Sequence, residues 1–264
     1  MRKLVLPLIA FAVTAPALAD FADVIRSWRT PPQRSYYGTC RGLAWDGAYI
    51  WCSVFYTWSP NMVYRCRPSN GRVVASFPSG FTSYVAGAGM CYRRWDRQRC
   101  IEFAVRDGVA RKSYIYRYNF NGSVINRKRI FLPNYLTGIM FDGKNEWVVE
   151  PREPRSVTYK LNAGGFPLSS FVVKGPGLVY GLDKQADFFW FSLGYIGTHF
   201  YGACKTRANG SVVASFQTYG KPEDCAYENN RLWVAVQSTV FCYDVSNAPA
   251  VLPASVGRIK VLFN

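Results

Sequence analysis

Gly42-Leu43-Ala44-Trp45-Asp46-Gly47, followed by Ala48-Tyr49-Ile50-Trp51, decides the fold because it recurs. Gly138-Ile139-Met140-Phe141-Asp142-Gly143 leads to Trp147, Gly181-Leu182 leads to Trp190, and Asp224-Cys225-Ala226-Tyr227 leads to Trp233. In all four the tryptophan stands nine residues after the first residue of the copy. A diverged copy starts at Gly89-Met90-Cys91-Tyr92 and has a longer, Arg-rich turn. The starts at 42, 89, 138, 181 and 224 are 47, 49, 43 and 43 residues apart. A period of this size marks a propeller or solenoid, and it suits four strands with their turns.

Each copy reads as two hairpins. A short apolar strand ends in Asp-Gly or Glu-Asn, which accept the positive φ of a tight turn. A second strand carries the tryptophan. A third alternates aromatics, as in Ser113-Tyr114-Ile115-Tyr116-Arg117-Tyr118. A turn follows at Asn70-Gly71, Asn121-Gly122, Gly164-Gly165 or Asn209-Gly210, and then a fourth strand. Val73-Val74-Ala75-Ser76-Phe77 recurs letter for letter as Val212-Val213-Ala214-Ser215-Phe216. Helical periodicity is absent apart from short ambiguous runs. The expected fold is all-β: a β-propeller of about five four-stranded blades. Trp51, Trp147, Trp190 and Trp233 are expected in its core.

The fourth-strand pattern also appears at Val24-Ile25-Arg26-Ser27-Trp28, with no copy before it, whereas the copy starting at 224 lacks one. The simplest closure places this N-terminal strand in the last blade, which removes exposed edges. Arg258–Phe263 also reads as a strand and competes for that place.

The first 19 residues read as a signal peptide. Arg2 and Lys3 precede the apolar run Leu4–Val13, and Ala17-Leu18-Ala19 has a small-x-small cleavage form. A single domain is expected over 20–264, secreted to the periplasm or the cell exterior, with no transmembrane segment. Removal of 1–19 takes two of the 32 basic residues. It leaves 30 against 16 acidic ones, a net of +14. Such a surface attracts polyanions. Export points to acidic polysaccharide or cell-surface glycan, with a protein partner also open. Nucleic acid is not expected, because no interleaved motif is present.

Eight cysteines in an exported chain favour disulfides. Matching places in the repeat suggest Cys66–Cys91 and Cys204–Cys225. The same logic suggests Cys40–Cys242 across the closure and leaves Cys52–Cys100. A rival set pairs Cys91 with Cys100 and Cys52 with Cys66 inside hairpins. With no CxxC pair and a single histidine, neither a metal site nor a cofactor is expected.

The run 42–51, with Tyr64-Arg65 and Asn70-Gly71-Arg72-Val73-Val74, resembles the blade pattern of bacterial secreted propellers of the NHL-like, YVTN-like and glutaminyl-cyclotransferase-like kinds. The resemblance covers nearly all of 20–264. It implies the architecture and carries no catalytic residue over.

In such a ring the loops from fourth to first strand share one face with those from second to third. The first set carries Tyr37, Tyr84, Tyr135, Tyr180 and Tyr219. The second carries Tyr56, Trp58, Arg106, Arg111, Arg152, Arg155, Tyr195 and His199. Tyr37, Tyr84, Tyr135, Tyr219, Trp58, Arg106, Arg152 and His199 form the candidate ligand face, since flat rings and guanidinium forks suit sugars and anions. The alternative is that the tyrosines pack blades together. Glu150-Pro151-Arg152-Glu153-Pro154-Arg155 reads as a general-base loop or as a solvated ion-pair loop. A binding propeller is therefore expected, with a cyclotransferase- or lyase-type enzyme as the alternative.

Overall fold

The computed structural model describes residues 22–31, 38–56, 60–81, 85–95, 98–107, 111–175, 177–194 and 201–247. The leader 1–19 and the rival closing strand 258–263 lie outside these residues.

Among the described residues the only regular elements are strands. β1 (Val24–Arg29) precedes the first full blade, which holds β2 (Thr39–Trp45), β3 (Ile50–Phe55), β4 (Met62–Cys66) and β5 (Val73–Pro78). The second blade holds β6 (Val85–Trp95), β7 (Gln98–Asp107), β8 (Lys112–Tyr118) and β9 (Val124–Ile130). The third holds β10 (Gly138–Phe141), β11 (Glu146–Glu150), β12 (Val157–Leu161) and β13 (Pro167–Val172). The fourth holds β14 (Leu178–Gln185), β15 (Phe188–Gly194), β16 (Tyr201–Arg207) and β17 (Val212–Gln217). The last sheet runs β18 (Pro222–Glu228), β19 (Arg231–Val236), β20 (Thr239–Asp244) and then β1. Among the described residues no helix is long and apolar enough to cross a membrane.

These are the five antiparallel blades of a propeller, and the N-terminal strand closes the ring. β1 pairs with β20 in the register Trp28↔Val240 and Arg29↔Thr239. It also reaches across to the first blade. Trp28 packs on Gly71 in the turn between β4 and β5, where a Cβ would overlap the indole. Arg26 Nη1 donates to Pro68 O at 3.3 Å. The glycine of that turn is therefore required by its neighbour as well as by its own φ of +70°.

A separate apolar core fills each of the five blade interfaces. Trp51, Trp190 and Trp233 are fully buried, and Trp147 nearly so. Each indole N–H donates to the residue five positions earlier. Trp51 donates to Asp46 (2.8 Å), Trp147 to Asp142 (2.7 Å), Trp190 to Gln185 (3.0 Å) and Trp233 to Glu228 (3.4 Å). Asp46 and Asp142 also accept two amides of their own turns, so one side chain fixes both turn and tryptophan. Across the strand pair a cation lies on the ring in three blades: Arg65 on Trp51, Lys160 on Trp147 and Lys205 on Trp190.

The second blade departs from this pattern. Glu102 stands where the other blades have tryptophan, opposite Cys91 as Trp51 is opposite Ala44. The cation position across from it holds Arg117. Arg117 Nε meets Glu102 at 2.5 Å, and its Nη2 meets Glu146 of the third blade at 2.6 Å. Arg93 bridges the same two carboxylates, and Lys128 Nζ lies 2.9 Å from Glu146. Glu102 is pushed up by burial and by Glu146, against the pull of both arginines. Glu146 is held low: Lys128 and the arginines outweigh its burial. A cation–π pair has become a shared ionic joint between two blades.

The cysteine pairs expected from the repeat are not bridged, because all eight cysteines are free and buried. Cys66 faces the joint between the last and first blades, whereas Cys91 faces the joint between the second and third. Cys204 and Cys225 lie in the cores on opposite sides of the fourth blade. Cys40 and Cys242 share one core without a bond, and Cys52 lies in that core while Cys100 sits beside the Glu102 network. Of the rival set, Cys91 and Cys100 are two register positions apart, and Cys52 and Cys66 approach to 3.9 Å between sulfurs. Hydrogen bonds with Cys40 and Cys66, then burial, hold the Cys52 thiol well above its ordinary value.

If β1 closes the ring as described, Trp28→Ala removes a buried ring from the closing joint. Urea unfolding should show a loss of about 3–5 kcal/mol. A loss under about 1 kcal/mol would place Trp28 outside the core.

Candidate functional site

The innermost strands β2, β6, β10, β14 and β18 converge on the ring axis. The first residues of the five copies are Gly42, Gly89, Gly138, Gly181 and Asp224. Four of these residues directly follow a register shift in the inner strand. The approach there is close. A Cβ on Gly89 would strike the backbone of Thr137 and Gly138, and one on Gly181 would come within 2.5 Å of Asp224 Cα. Glycine at these positions is a packing demand.

Asp224 is the exception, and it fills the axis. Its side chain is fully buried. Oδ2 accepts the amide N–H of Leu43 at 2.8 Å and of Met90 at 3.1 Å, while Oδ1 accepts Cys225 N–H at 2.8 Å. One carboxyl thus ties the last blade to the first and second. Burial raises it well above the carboxylate range, the three amides oppose that, and Asp183 adds to the rise.

Beside this plug lies a cavity of about 110 Å³. Its wall includes Trp45, Tyr92, Phe141 and Tyr227, each three residues after the start of its copy, at the inner strand's end. In the fourth blade Lys184 takes that position and Asp183, one residue earlier, lines the cavity. Asp183 Oδ1 accepts Lys184 N–H at 2.7 Å, and Oδ2 accepts Tyr227 N–H of the neighbouring blade at 2.6 Å. Burial outweighs both amides and pushes the carboxyl up to about 6. A half-buried carboxyl raised toward neutrality in a concave mouth marks this end of the axis as a candidate site.

This mouth is on the side of the turns from first to second strand. The tyrosine–arginine face expected from the sequence is on the other side. Tyr37, Trp58, Tyr84 and His199 lie outside the described residues. Tyr135 is partly exposed, and its hydroxyl is held up by burial, then by Tyr180, with Lys221 and Arg106 pulling the other way. Lys221 Nζ stands 4.3 Å from the centre of the Tyr180 ring. Tyr135, Tyr180, Arg106 and Lys221 therefore share one neighbourhood. Tyr219 instead stacks on Phe241 at 5.6 Å between centroids, and Arg152 pairs with the buried Glu150 at 2.8 Å. In the loop that starts at Glu150 this is one ion pair, between a buried carboxylate and an exposed guanidinium. Asp183 and Asp224 were not singled out from the sequence. The available signal was an aspartate in a column of four glycines.

No protein-family model matches the sequence. No curated protein is similar to it. Solved structures share the fold. A chain of a nidogen/laminin complex aligns with TM-score 0.51 and 14% identity over 88% of this chain and 90% of that one. A GH43_1 enzyme from Xanthomonas citri complexed with xylose gives 0.53 and 8% over 86% and 93%. A GH43 β-xylosidase/α-arabinofuranosidase from a compost metagenome, in complex with xylotriose, gives 0.52 and 7% over 86% and 97%. Likeness at such identity is likeness of fold: it supports the five-bladed propeller expected from the blade pattern and shows no NHL-like or YVTN-like family.

Two outcomes follow from the axis. Asp224→Ala leaves the buried amides of Leu43 and Met90 without a partner, at about 1–3 kcal/mol each. Thermal or urea unfolding should show the loss, and Asp224→Asn, which keeps an acceptor, should lose less. For Asp183, the folded chain binds the proton more tightly than the unfolded one, whose value is near 3.8. Stability that Asp183 contributes in acid is therefore lost as pH rises through about 6. Asp183→Asn should flatten the stability profile over that window, and an unchanged slope would show that Asp183 does not titrate there.

Proposed function

We propose that the protein is a binding propeller working outside the cytoplasm, and that it takes an anionic ligand, an acidic glycan, on the face of Tyr135, Tyr180, Arg106 and Lys221. The observation that carries this reading is the convergence of two tyrosines with Arg106 and Lys221 on that face, beside the carboxylates of Glu153 and Glu223. Rings supply flat apolar area for a sugar, and the cations supply charge for its acid group. The net charge of +16 steers a polyanion toward the molecule. Among the fold neighbours, one comes from a nidogen/laminin complex and another is in complex with xylotriose, which is in keeping with a protein or glycan partner here. In an oxidising compartment Cys52 and Cys66 are the cysteines nearest to bridging.

An enzyme reading has less support. Glycoside hydrolysis uses two carboxyl groups flanking the scissile bond. On the axis Asp224 is fully buried and holds three backbone amides, so it is closed to a substrate.

Binding of polygalacturonate, with neutral dextran as control, tests the proposal. Binding should weaken steeply with salt. The double variant Arg106→Ala/Lys221→Ala should bind about tenfold more weakly, and Lys144→Ala, on the opposite side, should bind normally. Equal binding of dextran, or equal loss in Lys144→Ala, would refute the assigned face.

A further inference from the structure

We propose that the aromatic mouth on the opposite side is a second binding site, which holds a small organic ammonium ion between the rings of Trp45, Tyr92, Phe141 and Tyr227 and against the carboxylate of Asp183. This site stands independently of the glycan reading, since it uses other residues at the other end of the axis.

Size and walls come first. The cavity, at about 110 Å³, is far larger than the roughly 10–15 Å³ that one water requires. Four blades each contribute one half-buried aromatic residue to its wall. Ring faces carry negative charge and attract cations, most strongly where water is displaced. The attraction is already at work here: Arg93 lies 4.0 Å from the centre of the Phe141 ring.

The carboxylate decides the sign of the ligand. Each oxygen of Asp183 accepts one backbone N–H, which leaves lone pairs free. No cation contributes to its environment among the described residues. The adjacent Lys184 turns away, with its Nζ over the Phe189 ring and its charge felt by Asp142. The second carboxyl on the axis, Asp224, is also close enough to interact with Asp183. An anion would meet two carboxyls here. A neutral apolar ligand would desolvate Asp183 without pairing it. A metal ion would find no cluster of three His, Cys, Asp or Glu ligands among the described residues. A weakly hydrated organic cation satisfies both the rings and the carboxylate.

Tetramethylammonium chloride is the probe, and tert-butanol is its neutral counterpart of similar shape. Saturation-transfer NMR on the full chain, in mildly alkaline buffer at fixed ionic strength, should show saturable binding of the cation. tert-Butanol should bind at least about tenfold more weakly, and Asp183→Asn should weaken the cation by a similar factor. Tyr92→Leu keeps the carboxylate and removes one ring, so it should weaken the cation about threefold or more. It also decides the question if Asp183→Asn fails to fold. Lack of saturable binding, equal binding of tert-butanol, or full affinity in the folded variants would each overturn the proposal.

Discussion

The ring is held at its centre by a single buried carboxyl. Where the five sheets meet on one axis, a Cβ has no room at Gly89 or Gly181 and is crowded at Gly138, while the fifth copy places one buried side chain there. Asp224 takes that place and accepts amides from the first, second and last blades. At the joint between the last and first blades the two ends of the chain meet: the last sheet is completed by β1, from the other end of the chain, so closure depends on that pairing. Here it is fastened twice. Asp224 secures it on the inside, and β1, paired to β20, secures it on the outside. An unmade hydrogen bond on the axis has no water to replace it, which is why the inner fastening matters out of proportion to its size.

Away from the axis, one device is repeated with variations. A turn carboxylate or amide holds an indole N–H, and a cation from the next strand lies on the ring. The device uses a large apolar residue that also carries one polar atom, so the ring can be buried with its N–H satisfied. The second blade shows what replaces the device when the tryptophan is lost. Glu102 in its place needs counter-charges, and Arg117, Arg93 and the neighbouring Glu146 and Lys128 supply them. Removing one member of such a network leaves a buried charge unpaired, so it is costly to break and restricts how these two blades can meet.

Most of the architecture could be read from the letters alone. The tryptophan nine residues into each copy, the Asn-Gly turns and the displaced VVASF-like strand at 24–28 led to five blades and to their closure. Those signals are local, and local backbone chemistry writes them directly. The cysteines were misread because equivalent strand positions were taken as neighbours. Side chains alternate between the faces of a strand, and in a propeller the two faces belong to different cores. Cys204 and Cys225 therefore end up on either side of a sheet. The axis was hidden for a different reason. That Gly89 must be glycine depends on Thr137 and Gly138, and that Gly181 must be depends on Asp224. Such contacts exist only once the ring is closed.

The plug also divides the molecule chemically. With Asp224 across the axis, the propeller has two mouths rather than a channel, and their chemistries differ in sign. One side gathers Arg106 and Lys221 around tyrosines, in keeping with the basic character of the whole chain. The other gathers aromatic residues around Asp183, a carboxyl that accepts two backbone amides and has no ion pair among the described residues. In a chain of net charge +16, a local site of opposite sign cannot arise from composition. It arises because the fourth copy puts Asp183 one position before the aromatic column and Lys184 in it. The copies that build the fold are alike. The two carboxyls at the axis, Asp183 and Asp224, sit where one copy departs from the others.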